Sequence, residues 1–258
     1  MVRGRRREDA ENPYWISFSD LMSALLVVFL LAVVVLALQV TQKQAELAAE
    51  QAAAEEQRAE FATQVRTLSA AEESRAAMVQ AIASDLQGQG IDVLVNDDFS
   101  VLSIPTELLG FEAASYEIEP GFHDDALAIG ESISTHMRTD DAYTTIDTVF
   151  GEGHTDNRAY DGLDGTGNWG LSTFRAISLW QLWEQDLSQS HRLDTMERAD
   201  GTPLFSVSGY GETRPATESQ STDAERAANR RIDIRFTEVS LTADDLSEVL
   251  ATTAGGDS

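Results

Sequence analysis

The sequence contains no cysteine, and this absence excludes several kinds of chemistry at once. A chain without thiols cannot form a disulfide, use a thiolate nucleophile or bind a metal through sulfur. Basic residues are also scarce: Lys43 is the only lysine, and 18 basic residues stand against 44 acidic ones, for a net charge of −26. Because phosphate binding needs basic patches, this balance argues against a nucleic acid as the partner.

Enzyme motifs are missing as well. The sequence has no phosphate-binding loop, no dinucleotide fingerprint and no nucleophile elbow. Its histidines are dispersed, and we expect the one that belongs to a motif, His154, to brace the end of a strand rather than bind a metal. Because no set of residues argues for catalysis, we predict a protein that is not an enzyme and needs no cofactor.

The largest feature that is present is an apolar run from Trp15 to Leu38. No residue between Leu21 and Gln42 is charged, and a bilayer core of about 30 Å needs roughly 20 apolar helical residues. The sequence therefore predicts one transmembrane helix over residues 13–39. Arginines crowd residues 1–12, so the positive-inside rule predicts a cytoplasmic N-terminus and places the rest of the chain outside. A cleaved signal peptide is disfavoured, because the run is long, lacks an obvious small-residue cleavage site and contains a carboxylate.

Asp20 is the unusual residue of this run, because an ionisable group inside a membrane costs a few kcal/mol or more. Such residues usually face a protein interior or a water-filled path, where a carboxylate can gain and lose a proton. Ser17, Ser23 and Ala24 lie three or four positions away, on the same helical face, and form a weakly polar stripe that a partner helix could approach. The alternative is that Asp20 lies at the membrane surface, hydrated or capping a turn. The residues alone favour neither interpretation.

Residues 40–87 contain no proline and no glycine and are rich in alanine, glutamate and glutamine, a composition typical of a helix. Several apolar residues follow a heptad register, among them Leu47, Phe61 and Ile82. Charged residues such as Arg58 interrupt the register, so the evidence for a paired coiled coil is weak. We interpret the segment as a helical stalk, with a solitary solvated helix or a partly disordered linker as the alternatives.

The residues around Asp20 carry a family resemblance. The sequence SDLMSALL that begins at Ser19, preceded by Tyr14 and Trp15, resembles the membrane helix of MotB-type B subunits of ion-driven motors. In that family one aspartate near the cytoplasmic start of the helix carries the translocated ion, and Asp20 matches its position. The surrounding sequence resembles most the B subunits of Zorya-type anti-phage defence motors (ZorB). Flagellar versions usually have Phe-Met-Thr after the aspartate, whereas this chain has Leu-Met-Ser.

After Gly88 the pattern changes to short strands that alternate with helices. We predict strands at 91–95, 101–104, 144–150, 205–207 and 232–236, and helices at 120–137, 168–187 and 224–230. This order predicts an α+β fold class, with the single transmembrane helix and the stalk followed by an α/β sandwich over residues 88–238. Residues 239–258 are small and acidic, and we expect them to form a flexible tail.

Short motifs occur in this domain in a fixed order. They are GHTD at Gly153–Asp156, NxxLSxxRA at Asn168–Ala176, GYGE at Gly209–Glu212 and NRRI at Asn229–Ile232. Each motif alone is weak, but in this order they resemble the OmpA-like peptidoglycan-binding domain, over about residues 90–237. The segment Phe111–Ser115 also resembles the part of that family that follows the early strands.

The resemblance implies which residues bind the ligand, a diaminopimelate of the peptidoglycan stem. It implies that Asp156 accepts from the ammonium and that Arg175 grips the carboxylate. Asn168 and Arg231, or Arg230 in place of Arg231, are implied as secondary contacts. The alternative is that Asp156 and Arg175 pair with each other and only stabilise the fold.

The loop of residues 157–167 is longer than is usual in that family and holds Asp161 and Asp164 beside glycines. Carboxylates and carbonyls in such a loop can bind calcium. The EF-hand spacing is absent, so we favour an ordinary solvated loop. A longer loop also predicts altered access to the neighbouring binding site.

Together the resemblances imply the B subunit of a proton-driven stator in the inner (cytoplasmic) membrane, anchored to peptidoglycan on the outer side. They imply a pentamer of MotA- or ZorA-like A subunits around two copies of this chain, with Asp20 conducting the ion. A role in Zorya-type anti-phage defence is the favoured interpretation. The alternatives are a flagellar stator, a passive peptidoglycan tether and a TolR- or ExbD-like energy transducer, the last disfavoured by the distal motifs.

Overall fold

The structure is a computed structural model that describes residues 13–112, 114–162, 165–198 and 200–239, without the side chains of residues 13–17, 67 and 68. The predicted cytoplasmic segment of residues 1–12 lies outside the described residues, and so does nearly all of the predicted tail of residues 239–258. The domain boundaries given above stay a prediction.

The first element is one long helix, α1 (Pro13–Gly88). It is unbroken because no proline or glycine occurs between its two end residues. Its apolar stretch exposes side chains on every side, among them Leu25, Val28 and Leu31. Within the described residues α1 is the one helix long and apolar enough to cross a membrane. A helix that is apolar all round, with no protein covering it, suits a lipid surrounding.

The last turns of α1 belong to a compact unit that begins at Gln64 and contains all the described strands. Val79, Ile82 and Leu86 are fully buried in the core of this unit. Apolar positions that fit a coiled-coil seam therefore fill the core of the distal domain instead. The predicted stalk shares its final turns with that domain.

The distal domain is built on a five-stranded sheet. Its strands are β1 (Leu94–Val95), β2 (Val101–Pro105), β3 (Ile146–His154), β4 (Phe205–Gly209) and β5 (Arg231–Glu238), and its helices are α2 (His123–Arg138), α3 (Gly167–Asp186) and α4 (Asp223–Asn229). The strand order is β1-β2-β5-β3-β4. The pairing of β3 with β4 is parallel, with α3 as the crossover, and the other pairings are antiparallel. This mixed architecture after one long apolar helix confirms the predicted fold class.

One hydrophobic core joins the sheet, the helices and the end of α1. Ile104 on β2, Val149 on β3 and Ile234 on β5 are buried in it, as the alternation of side chains along a strand requires. The helix α3 packs on β3 and β4, and α2 packs on α3. The indole Nε1 of Trp183 on α3 donates to the carbonyl of Ala126 on α2 at 2.7 Å, which fixes the two helices to each other.

The helix α3 approaches the sheet so closely that two positions on the strands require glycine. A Cβ at Gly153 would lie 1.9 Å from the carbonyl oxygen of Ser172, and a Cβ at Gly209 would lie 2.3 Å from Oγ1 of Thr173. Any larger residue would push the helix away from the sheet. The two glycines therefore set how far the side chains at the start of α3 stand from the end of β3.

Arg75 adds polar connections between α1 and the sheet. Its guanidinium pairs with Glu238, at the end of β5, with an Nη1–Oε1 distance of 3.1 Å. The same group donates to the carbonyl of Asp98, in the turn between β1 and β2, at 3.1 Å. The end of α1 is thus attached to the domain by an ion pair as well as by apolar packing.

The burial of α1 in the domain core gives a stability prediction. Leu86→Ala should lower the free energy of unfolding by about 2–5 kcal/mol, because it opens a cavity at a fully buried position. Leu47→Ala is the matched control, since Leu47 lies on the same helix but is 55% exposed, and it should change stability by less than about 0.5 kcal/mol. Urea denaturation of the full chain in detergent measures both values. A loss at Leu86 no larger than the loss at Leu47 would contradict the packing.

Candidate functional site

The predicted motifs meet at the place where β3 ends and α3 begins. The amide of Tyr210 donates to the carbonyl of Gly153 at 2.9 Å, and the amide of Thr155 donates to the carbonyl of Gly211 at 2.9 Å. The hydroxyl of Ser172 on α3 accepts from the amide of Gly211, also at 2.9 Å. These bonds hold the GHTD segment, the GYGE segment and α3 in one arrangement.

A cavity of about 400 Å³ lies beside this junction. Its charged lining residues are Glu107, Glu112, Asp156, Arg158, Arg175 and Arg230. Phe111, Tyr160 and Leu171 supply apolar and aromatic surface. A cavity that presents charges of both signs suits a small zwitterionic group better than an apolar ligand.

Asp156 lies at this cavity with its side chain only 7% exposed. Its Oδ2 accepts from the guanidinium of Arg158 at 2.7 Å and from that of Arg230 at 3.1 Å, and its Oδ1 accepts from the amide of Arg158 at 3.0 Å. Burial raises the pKa of Asp156, but the hydrogen bonds from these two arginines outweigh burial and hold the pKa below its usual value. The carboxylate is therefore ionised at neutral pH.

Arg175 is the buried cation of the cavity, at 3% exposure. Its Nε donates to the carbonyl of Ser115 at 2.8 Å, and its Nη2 donates to the carbonyl of Glu112 at 3.1 Å. The ring of Phe111 lies against the guanidinium, with its centre 5.2 Å from Cζ. Burial lowers the pKa of Arg175 to about 10, and the neighbouring charge of Arg230 acts in the same direction. The group still carries its charge at neutral pH.

The structure gives Asp156 and Arg175 different partners. The carboxylate is held by Arg158 and Arg230, and the buried guanidinium is held by main-chain carbonyls. The alternative in which the two residues pair with each other is therefore not the arrangement found. Both groups line one cavity and can act on opposite ends of a ligand.

The secondary residues are divided between two places. Asn168, at the start of α3, donates to the carbonyl of Arg158 at 3.0 Å and so holds the loop that follows Asp156. Arg231 pairs with Asp233 at 3.0 Å, and Arg230 is the arginine of this motif that lines the cavity. The roles of these side chains in binding stay a prediction.

Three charged residues of the cavity, Glu107, Glu112 and Arg158, were not singled out from the sequence. Arg158 stands two positions after the aspartate of the GHTD motif, and that spacing is a signal that could have identified it. Glu107 pairs with Arg230 at 2.8 Å, although 123 positions separate them in the chain. No local sequence pattern predicts a contact between residues so far apart in the chain.

Glu152, His154 and Asp233 are the group of described side chains whose donor atoms lie close enough to hold a metal ion. Each carboxylate is already paired with an arginine, Glu152 with Arg235 at 2.9 Å and Asp233 with Arg231 at 3.0 Å. A divalent cation would stand beside two positive charges, so the residues fit a metal poorly. The Nε2 atom of His154 lies 3.2 Å from Oδ2 of Asp233, which links the end of β3 to β5.

The loop between Asp156 and α3 is described except for residues 163 and 164. Asp161 is exposed, whereas Asp164 lies outside the described residues. Because one of the two candidate calcium ligands is not described, the choice between a calcium site and a solvated loop stays a prediction.

In α1, Asp20 and Ser23 are exposed, and the hydroxyl of Ser23 donates to the carbonyl of Ser19 at 2.8 Å. Ser17 belongs to the same helix, but its side chain lies outside the described residues. One helix with a single acid supplies only one wall of an ion path. Other helices are needed to enclose it.

No family model matches this chain. Zorya protein ZorB of Escherichia coli O139:H28 is 53% identical over 30 residues, which are 12% of each chain. Motility protein B of Bacillus subtilis is 32% identical over 82 residues, which are 32% of this chain and 27% of that protein. The match thus spans less than a third of the length of either relative.

Among solved structures, the cell wall anchor of the T6SS from Pseudomonas aeruginosa is 26% identical, with a TM-score of 0.44. The match covers 64% of this chain and 99% of that one. The comparisons with the two curated relatives confirm the resemblance drawn from the motifs: the chain is similar to MotB-type motor B subunits, the Zorya protein ZorB among them.

Proposed function

We propose that this chain is the B subunit of a MotB-type stator, held in the inner membrane by α1 and anchored to peptidoglycan by its distal domain. One observation carries the proposal: the same chain has an acid within an apolar helix, Asp20, and a cavity with opposite charges, Asp156 and Arg175. The names of the relatives, Zorya protein ZorB and Motility protein B, support this class. The proposed role is anchoring and ion conduction rather than catalysis.

The proposed ligand of the cavity is the diaminopimelate of a peptidoglycan stem, which carries a free ammonium and a carboxylate. Arg175 is suited to the carboxylate, because the carbonyls of Ser115 and Glu112 already hold its guanidinium in place. Asp156 is ionised and suited to the ammonium. Asn168 acts as a positioning residue, through the loop that follows Asp156.

In the membrane, Asp20 carries the ion, for which we propose a proton. Protonation neutralises the carboxylate, and surrounding subunits can then step past it. The membrane potential supplies ~2.3 kcal/mol per charge per 100 mV, which is comparable with the free energy of rearranging a few side chains. One helix cannot enclose a path, so partner helices are needed. By the resemblance to MotB-type subunits, we propose a pentamer of MotA- or ZorA-like A subunits around two copies of this chain.

The proposed setting is Zorya-type anti-phage defence. Leu-Met-Ser follows Asp20, where flagellar subunits usually have Phe-Met-Thr, and the identity with ZorB reaches 53% over its 30 matched residues. The distal domain lies outside the inner membrane in this proposal, and residues 1–12 lie in the cytoplasm.

Arg175→Ala should weaken wall binding. Loss of a charged, bidentate contact costs about 1.5–3 kcal/mol of binding free energy. The affinity for isolated peptidoglycan, measured by co-sedimentation, should therefore fall by about tenfold or more. Arg192→Ala is the control, because Arg192 is a partly exposed arginine that pairs with Asp194 outside the cavity. Melting temperatures of both variants report whether the fold is intact. Unchanged co-sedimentation of a folded Arg175→Ala protein would refute the anchoring role.

Asp20→Asn should abolish ion flow and leave assembly intact, because the amide cannot exchange a proton but keeps the size of the side chain. Proton entry is followed with a pH-sensitive dye in cells that express the chain with its membrane partner, and co-purification of that partner reports assembly. Asp97→Asn, the same change in an exposed turn of the distal domain, is the control. Undiminished proton entry in the Asp20 variant would instead indicate a passive tether.

A further inference from the structure

The carboxylate of Asp156 accepts four hydrogen bonds from arginine groups, three of them at Oδ2. Its Oδ2 accepts from Nε and Nη2 of Arg158 at 3.1 and 2.7 Å and from Nη1 of Arg230 at 3.1 Å. Its Oδ1 accepts from the amide of Arg158 at 3.0 Å. Each carboxylate oxygen offers two lone pairs, so the three bonds at Oδ2 fill that oxygen, whereas Oδ1 receives one bond. An ammonium that binds at Oδ2 must therefore displace a donor.

The donor that is easiest to displace is the side chain of Arg158. It is 59% exposed, whereas that of Arg230 is 24% exposed and is also held by Glu107 at 2.8 Å. An ion pair with one solvated partner is weaker than a fully buried one, because water and salt compensate the charge of the exposed guanidinium when the pair breaks. The amide of Arg158 is part of the main chain and can stay in place when the side chain leaves. Asp156 would then remain held by that amide and by Arg230.

We propose that Arg158 is a built-in competitor of the ligand ammonium: its guanidinium occupies Oδ2 of Asp156 and must swing into solvent before the ammonium of a stem can take that oxygen. This inference rests on the proposed function and adds a specificity-determining residue to the same site. Arg158 makes binding more selective. A ligand must bring its own positive charge to Asp156 in place of the guanidinium of Arg158, and it must also engage Arg175. A ligand that has only the carboxylate cannot displace it.

The opposite role for Arg158 is a direct contact to a ligand carboxylate, and the two roles predict opposite effects of one substitution. If Arg158 competes, Arg158→Ala should tighten the binding of meso-diaminopimelate by about 2- to 5-fold, the range expected for an ion pair whose cation is solvated. If Arg158 contacts the ligand, the same variant should bind more weakly.

The experiment is isothermal titration of the full chain in detergent with meso-diaminopimelate. Arg192→Ala is the matched control, because Arg192 also makes two guanidinium bonds to an aspartate two positions away, Asp194, but outside the cavity. The affinity of the Arg192→Ala chain for meso-diaminopimelate should equal that of the unmodified chain. Pimelate, the same dicarboxylate without amino groups, should gain nothing from Arg158→Ala.

Tighter binding of meso-diaminopimelate, with no gain for pimelate, supports the proposal. Unchanged or weaker binding in Arg158→Ala overturns it, and so does an equal gain for both ligands. These outcomes are distinct from failure of the proposed function itself. In that case the unmodified chain would not bind meso-diaminopimelate, and Arg175→Ala would leave wall binding unchanged.

Discussion

The contact between Gly153 on β3 and the main chain of Ser172 on α3 is the constraint on which the cavity depends. A Cβ at Gly153 would stand 1.9 Å from a carbonyl oxygen, so glycine alone permits this approach. The contact brings the first turns of α3 beside the end of β3, which is where Asp156 and Arg175 are found. The positions of the two charges therefore follow from a distance between main chains and not from attraction between the charges.

Charged groups in this domain are stabilised in two ways. On the sheet, Glu152 pairs with Arg235 and Asp233 with Arg231, so each charge is cancelled by a neighbour. In the cavity, Arg175 is held by main-chain carbonyls, which orient it without removing its charge. Because an unpaired buried charge is costly, this oriented state is one that a ligand carboxylate can improve. In the proposed function, this difference separates a structural ion pair from a binding group.

Local patterns were enough to predict the fold class and the order of strands and helices, because alternation and turn residues are properties of neighbouring positions. The motif residues came instead from a family resemblance. Local patterns could not show which part of the protein, or which partner, covers an apolar residue. Val79 and Ile82 fit a paired stalk and a domain core equally well, and only the three-dimensional packing decides between them. They also could not choose between Arg230 and Arg231, since adjacent residues at a strand end point in different directions. The partner of Arg230, Glu107, comes from a distant part of the chain.

The buried end of α1 has a mechanical consequence. Tension along residues 75–86 would act in shear on packed side chains such as Ile82 and Leu86, and on the ion pair between Arg75 and Glu238. That stretch contains no glycine or proline, so it offers no hinge at which slack could develop. For residues 75–86 to pull out of the domain, several core contacts would have to break together. The domain would therefore bear load as a stiff body, before the chain extends at Gly88 and Gly90, the first glycines after this stretch.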